Sequence, residues 1–213
     1  MENKLILGIL PKRQKELFSV LSGVDWLADY YLAGGTALAL RYGHRRSIDF
    51  DFFTAKKIDR QLLKREVLGL GAFKLFAESE FILHGEIDHV QISFMSLPYP
   101  LIGEELRQGG LRIASIEDIA AMKLSAVSSR GSRKDFIDLY FLLKQYSLGE
   151  MIGFYEKKYG KNDENVYCVL KGLVYFDDAE KKPMPSMLKN VAWKEIRKAM
   201  MAAHKVYVGG LKN

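Results

Sequence analysis

Two short segments decide the fold: Gly34-Gly35-Thr36-Ala37-Leu38 and Ser47-Ile48-Asp49-Phe50-Asp51-Phe52-Phe53. The second segment alternates apolar and polar residues, which is the pattern of a half-buried β-strand. Successive side chains of a strand point to opposite faces of the sheet. Asp49 and Asp51 are therefore expected on one face, and Ile48, Phe50 and Phe52 on the other.

The two aspartates are spaced so that they can act together. Two strand rises separate their Cα atoms by about 7 Å, so the carboxylates can converge. Like charges at this distance repel unless a counter-ion lies between them. Mg²⁺ prefers oxygen ligands and commonly takes one or two carboxylates together with substrate phosphates. The sequence predicts a Mg²⁺ site at Asp49 and Asp51; the alternative is an edge strand whose acids are solvated.

The glycine segment follows an apolar run, Tyr31-Leu32-Ala33, that predicts a short strand. Gly34 and Gly35 then lie between this strand and a helix, where unpaired amides and the positive end of the helix dipole attract anions. Glycines let a phosphate approach those amides, and Thr36 adds a hydroxyl. The alternative is a strand-to-helix turn that merely needs glycine. Together with the aspartates, this segment predicts phosphoryl or nucleotidyl transfer.

A lysine within an apolar helical stripe marks a second candidate group. In the helix predicted over 115–129, Lys123 shares a face with Ile119 and Val127, where a charge needs an anionic partner or a solvated cleft. Asp135 lies in the inward stripe of the following helix. Lys123 is then a solvent-reaching lysine, a structural ion-pair partner of Asp135, or a phosphate ligand that Asp135 orients. We favour the last interpretation.

The pattern along the chain indicates an α+β fold, with a small mixed sheet flanked by helices and then a helical C-terminal region. We place a nucleotide-binding α/β domain at residues 1–112 and a helical region at 113–213, with Gly109-Gly110 near the boundary. Strands are expected at 30–33, 47–54, 73–77, 81–85 and 89–95, and helices at 12–22, 36–42, 59–68, 115–129, 132–145, 149–159, 163–175 and 187–206.

Composition narrows the class of protein. The chain has 213 residues, 48% of them hydrophobic, and a net charge of +6, which favours phosphate-bearing partners. We find no signal peptide and no apolar run of about 18 residues, so no membrane segment is expected. The single cysteine, Cys168, is expected in the core, and its lack of a disulfide partner fits a cytoplasmic location.

These motifs resemble the nucleotidyltransferase signature of the AbiEii/AbiGii toxin family. The resemblance rests on residues 34–38 and 47–51, and continues through Lys123-Leu124-Ser125-Ala126 and Arg133-Lys134-Asp135-Phe136-Ile137-Asp138-Leu139-Tyr140. It implies the DNA-polymerase-β-like minimal nucleotidyltransferase fold. Members studied are toxins of bacterial toxin–antitoxin and phage-defence systems, and some move nucleotides from an NTP onto tRNA ends. By this resemblance Asp49 and Asp51 hold metal, and Ser47, Lys123 and Asp135 are catalytic.

One feature departs from the wider superfamily, in which a neighbouring strand brings a third carboxylate. The expected strand here covers residues 89–95, and its positions facing the site are Gln91 and Ser93. Glu86 and Asp88 precede it with the opposite parity. Fewer anionic ligands leave more of the coordination to water and phosphate, so this branch either works with two carboxylates or has lost transfer activity.

The sequence therefore predicts a Mg²⁺-dependent nucleotidyltransferase that uses an NTP and an RNA acceptor, with an antitoxin as a possible partner. Gly34, Gly35 and Thr36 hold the triphosphate, and Lys123 neutralises its charge. Arg41, Arg45 and Arg46 are expected to contribute to RNA binding, and His44 is expected with Arg45 and Arg46 in an exposed basic loop. Two alternatives are an NTP-dependent phosphotransferase acting on protein or a small molecule, and a catalytically silent nucleotide- or nucleic-acid-binding module.

Overall fold

The computed structural model describes residues 5–211, and the chain divides into two compact units, residues 1–115 and 116–213. The first unit is built on one mixed seven-stranded sheet in the order β3-β4-β5-β2-β1-β7-β6. Its strands are β1 (Tyr31–Ala33), β2 (Asp49–Thr54), β3 (Phe73–Glu78), β4 (Ile82–Ile87), β5 (Val90–Ser96), β6 (Leu106–Gln108) and β7 (Leu111–Ile113). Its helices are α1 (Lys12–Leu21), α2 (Gly34–Tyr42) and α3 (Arg60–Leu68).

The central strands β2 and β5 run parallel and bury one face of the sheet. Phe52 of β2 stacks on Phe94 of β5 with ring centroids 5.4 Å apart, and Phe50 meets Phe18 of α1 at 6.0 Å. Burying such rings supplies much of the hydrophobic stabilisation of a small domain. The strand expected over 47–54 begins only at Asp49, and Ile48, which precedes it, is exposed and not on the buried face. From Asp49 onward the expected alternation is confirmed, because buried and half-buried positions alternate along β2.

A tight hairpin joins β4 and β5, and here the expected strand boundary is wrong. Asp88 and His89 have φ angles of 47° and 68°, the left-handed conformation of the two-residue turns that suit the twist of a hairpin. His89 is therefore a turn residue, and β5 begins at Val90. Because the chain reverses after Ile87, parity cannot be counted through the turn from Glu86 to Gln91.

The hairpin β6–β7 was missed because its three-residue strands lack the continuous apolar run that predicted the equally short β1. Gly109 adopts a φ of +59° at the hairpin turn, and the amide of Gly110 donates to the carbonyl of Ser22 at 2.7 Å. The two glycines thus close a hairpin within the first unit. The expected domain border at 112/113 falls inside β7, which pairs with β1 in parallel.

The second unit is helical. Its helices are α4 (Ile116–Ser129), α5 (Arg133–Leu142), α6 (Leu148–Tyr159), α7 (Asp163–Leu173), α8 (Asp177–Glu180) and α9 (Trp193–Gly210). The last helix was expected from residue 187, but it starts at Trp193, whose ring packs against Phe136 at 5.9 Å. Cys168, expected in the core, is exposed, because α7 turns Val169 and Leu173 inward instead.

A buried ion pair links two helices of this unit. Lys158 of α6 and Asp118 of α4 are both fully buried and bonded at 2.8 Å. Removing one partner of such a pair leaves an uncompensated charge in the interior.

Within residues 5–211 no helix is long and apolar enough to cross a membrane.

Candidate functional site

Asp49 and Asp51 lie side by side on β2, both half-buried. The face that they share is opposite to the one that buries Phe50 and Phe52, as the sequence predicted. In the register of the sheet, Asp49 is paired with Gln91 and Asp51 with Ser93. The aspartates therefore lie on a partly open face in the middle of the sheet, with neutral neighbours on the β5 side.

The start of helix α2 lies directly against Asp51. Gly34, expected as a turn residue, is instead the first residue of the helix. Its φ is +69°, and a Cβ at this position would lie 2.7 Å from the Oδ2 of Asp51. The backbone conformation and the carboxylate both require glycine here. As a result, the amino end of a helix, with its unpaired amides, adjoins one of the two carboxylates.

The second glycine, Gly35, lies against a different side chain. A Cβ at Gly35 would overlap the Nη2 of Arg45 and lie 3.2 Å from the Oγ of Ser47. Arg45 is only 1% exposed, and its Nη1 donates to the carbonyl of Arg46 at 3.1 Å. Its guanidinium therefore lies inside the first unit, against the α2 terminus.

The prediction of an exposed basic loop around this arginine is wrong for two of the loop residues. His44 and Arg45 are buried, whereas Arg46 is exposed. Three consecutive basic side chains ordinarily indicate a solvated segment. The guanidinium of Arg45 is buried against Gly35, a residue ten positions earlier in the chain. A local sequence pattern does not reveal such a contact.

Thr36 and Ser47 lie in the same small region. Thr36 is buried, and its hydroxyl donates a short hydrogen bond to the backbone carbonyl of Asp49. It fastens the first turn of α2 to the carboxylate strand. Ser47 is 7% exposed and lies near Gly35. The expected roles of these two hydroxyls toward a nucleotide stay predictions.

A third acid occupies the same sheet face farther away, contrary to the parity argument from the sequence. Glu86 of β4 is paired with Gln91 of β5, which is paired with Asp49. Two strand spacings put Glu86 on the order of 10 Å from Asp49. Next to Asp51, Ser93 is hydrogen-bonded to the Nδ1 of His84 at 3.0 Å.

The donor set fits a magnesium ion that keeps part of its hydration. Across residues 5–211 no group of three or more His, Cys, Asp or Glu side chains is placed to hold a metal ion. Two adjacent carboxylates beside a helix amino end match the usual Mg²⁺ arrangement, in which water and substrate phosphates supply the other ligands. Asp49 and Asp51 are the residues that would hold it.

In the second unit, Lys123 is 4% exposed and lies between two carboxylates. Its Nζ is 3.0 Å from Asp135 and 2.6 Å from Asp138. The ion pair with Asp135 weighed from the sequence is therefore present. Asp138 was missed as a partner, although its spacing of three residues from Asp135 puts both on one helix face. A role for Lys123 toward phosphate stays a prediction.

Asp135 has further hydrogen-bond donors besides Lys123. It also accepts from the Nε and Nη2 of Arg130, at 3.1 and 3.2 Å, and from the hydroxyl of Ser132 at 2.6 Å. Burial alone would raise its pKa, but Lys123, Arg130 and Ser132 together lower the pKa to about 2. Asp135 is therefore ionised at neutral pH.

The sheet, the glycine-started helix and the Asp-x-Asp strand define the nucleotidyltransferase class, and solved structures share this fold. MenT4, a nucleotidyltransferase toxin of Mycobacterium tuberculosis H37Rv, superposes with a TM-score of 0.56 at 15% identity, covering 89% of this chain and 82% of MenT4. JHP933 from Helicobacter pylori gives a TM-score of 0.52 at 21% identity, covering 96% of this chain and 100% of JHP933.

The family follows from the sequence comparison. A family described as the nucleotidyl transferase AbiEii toxin of type IV toxin–antitoxin systems matches residues 16–91 and 84–206. The chain belongs to this family, which confirms the expected resemblance. It is also 36% identical over 205 residues to an uncharacterized protein of Aquifex aeolicus strain VF5, aq_aa25, covering 93% of this chain and 98% of that protein.

Proposed function

We propose that this member of the family transfers a nucleotide from an NTP to an RNA acceptor, with tRNA ends as the expected target, in a Mg²⁺-dependent reaction. The observation that carries the proposal is the contact between the first residue of α2 and Asp51. It puts a phosphate-binding helix end beside a pair of carboxylates, and nucleotidyl transfer needs both.

Each part of the site has one task in this proposal. Asp49 and Asp51 hold the metal, and the amides of Gly34, Gly35 and Thr36 bind the triphosphate. The metal would neutralise phosphate charge as the transfer proceeds. Ser47 lies near Gly35, and its proposed task is to orient a phosphate oxygen or the glycine amides.

The neutral residues next to the aspartates limit the number of carboxylate ligands that the protein supplies to a metal. Gln91 and Ser93 occupy the neighbouring positions of β5, so the protein supplies a pair of carboxylates and no third one there. Substrate phosphates must then complete the coordination of the metal, and metal and NTP should bind cooperatively.

Lys123 and Asp135 enter the proposal as a cation and its orienting carboxylate. Lys123 is already paired with two acids, so contact with a phosphate requires that a phosphate oxygen compete with a carboxylate oxygen. The electrostatic contribution of such a cation to phosphoryl chemistry is large when water is excluded.

The family also supports an antitoxin protein as partner, and the net charge of +6 supports a polyanionic acceptor. Labelling identifies both the nucleotide and the acceptor. The test therefore uses each of the four α-³²P-labelled NTPs with bulk tRNA and Mg²⁺.

Label on RNA with the wild type, and none with Asp51→Asn, is the expected result. Asp25→Asn is the matched control, because Asp25 is an exposed acid of the same unit, away from β2. Label recovered on protein or on a small molecule from γ-³²P-labelled NTPs, with none transferred to RNA from α-³²P-labelled NTPs, would replace the proposal with the phosphotransferase alternative. Nucleotide binding without any transfer would leave a silent binding module.

A further inference from the structure

Gly35 and Arg45 fit together as a pair. The guanidinium of Arg45 occupies the volume that any side chain at position 35 would need. It is buried, and it approaches the second residue of α2, one residue from the contact between Gly34 and Asp51. Ser47 lines the same space from the other side of Arg45 in sequence.

A buried arginine is an expensive way to fill space, because its charge must be compensated after it leaves water. A methionine or leucine would fill a similar volume without that cost. The location is chemically informative, since the amino end of α2 is where the proposed triphosphate binds. A fixed positive charge behind that helix end adds to the dipole and favours an anion in front of it.

We infer that Arg45 is a positioning residue for triphosphate binding, and that position 35 is glycine in order to admit its guanidinium. This inference rests on the proposed function. The planar guanidinium holds Gly35 and Ser47 at a fixed spacing, and its charge strengthens the anion site at the start of α2. Being buried, Arg45 acts through this turn and does not need to touch the substrate.

Under this inference, glycine is required at position 35 for a different reason from the one that the sequence suggested. If Gly35 only lets a phosphate approach the backbone, a methyl group there blocks the ligand whatever stands at position 45. If it admits Arg45, the methyl group acts by displacing the guanidinium. A double-variant cycle separates the two reasons, because coupled positions are non-additive.

The experiment measures the affinity of Mg²⁺–tripolyphosphate, a probe that avoids the undefined base preference. The proteins are wild type, Gly35→Ala, Arg45→Met, the double variant, and Arg13→Met as the control at an exposed arginine of α1. Calorimetric titration gives affinity, and thermal melting verifies that each variant is folded.

Each single variant should bind at least tenfold more weakly than wild type. The double variant should bind no more weakly than the weaker single variant, and Arg13→Met should bind within about twofold of wild type. Multiplicative losses in the double variant, or wild-type affinity in folded Arg45→Met, would overturn the inference. If Arg45→Met does not fold, Arg45→Lys keeps the buried cation and the cycle is run in that background. Wild type that fails to bind the probe contradicts the proposed function instead.

Discussion

At the scale of single residues, the site is defined by two charged side chains that lie against two consecutive glycines. Asp51 lies against Gly34 and Arg45 against Gly35, so opposite charges contact two consecutive residues at the start of one helix. The sequence identified the glycines and the aspartates, because a Gly-Gly turn and an Asp-x-Asp strand have recognisable patterns. It did not identify Arg45, whose burial depends on a contact across ten positions of the chain.

Gly34→Ala should damage both stability and function. The positive φ costs an alanine roughly 1–2 kcal/mol, and its methyl group must displace the Asp51 carboxylate. Gly153→Ala is the control, because Gly153 is a helical residue whose Cβ would meet nothing within 4 Å, and alanine there should stabilise by up to about 1 kcal/mol. Urea unfolding of both variants measures the difference; equal stabilities would show that Gly34 is not constrained.

At the scale of elements, α4 and α5 are joined by the cluster of Lys123, Asp135 and Asp138. Helical periodicity predicted the inward position of Lys123, since a seven-residue spacing returns to the same face. It could not decide between an ion pair and a ligand, because both put the lysine in the apolar stripe. It also named only one of the two carboxylates.

Lys123→Met should destabilise the second unit by on the order of 3–5 kcal/mol, because two buried carboxylates lose their cation. Neutralising both acids in the triple variant Lys123→Met/Asp135→Asn/Asp138→Asn should restore most of that loss. Thermal melting with and without Mg²⁺–NTP then reports function. A ligand-induced shift of wild-type size in the folded triple variant would remove Lys123 and Asp135 from nucleotide binding.

The low pKa of Asp135 also predicts how stability depends on pH. The pKa is lowered from 3.8 to about 2 on folding, so the folded protein favours the ionised form. The resulting stabilisation, about 2 kcal/mol, is present above pH 4 and is lost as the pH falls toward 2. Urea unfolding at pH 6 and pH 2.5 should show this loss in wild type, and a smaller loss in Asp135→Asn; identical profiles would contradict the assignment.

At the scale of the whole molecule, the surplus of six positive charges favours a polyanionic acceptor, and Arg46 is an exposed cation close in sequence to the aspartates. Arg46→Glu should weaken RNA binding and flatten its salt dependence. Arg13→Glu, at an exposed position of α1, changes the net charge equally. Filter binding at several salt concentrations compares them, and equal effects of both variants would indicate a non-specific charge effect.

The sequence predicted most helices and the strands β1 to β5, because each carries a clear apolar run or a clear period of apolar residues. It missed the three-residue strands β6 and β7, whose pairing depends on neighbours distant in the chain. The predicted sheet face of Glu86 was also wrong. The left-handed turn at Asp88 and His89 reverses the chain, so odd and even positions before and after the turn do not keep to the same faces. Local patterns thus specify elements, and contacts between them specify the details of the site.

The central claim is that Asp49 and Asp51 form the metal site of a nucleotidyl transfer reaction. The most direct measurement is the rate of label transfer from NTP to tRNA as Mg²⁺ is titrated, for wild type, Asp49→Asn and Asp51→Asn. The account predicts no transfer without Mg²⁺ and a loss of at least a hundredfold in each folded variant. Transfer that persists in Asp51→Asn, or that does not respond to Mg²⁺, would contradict it.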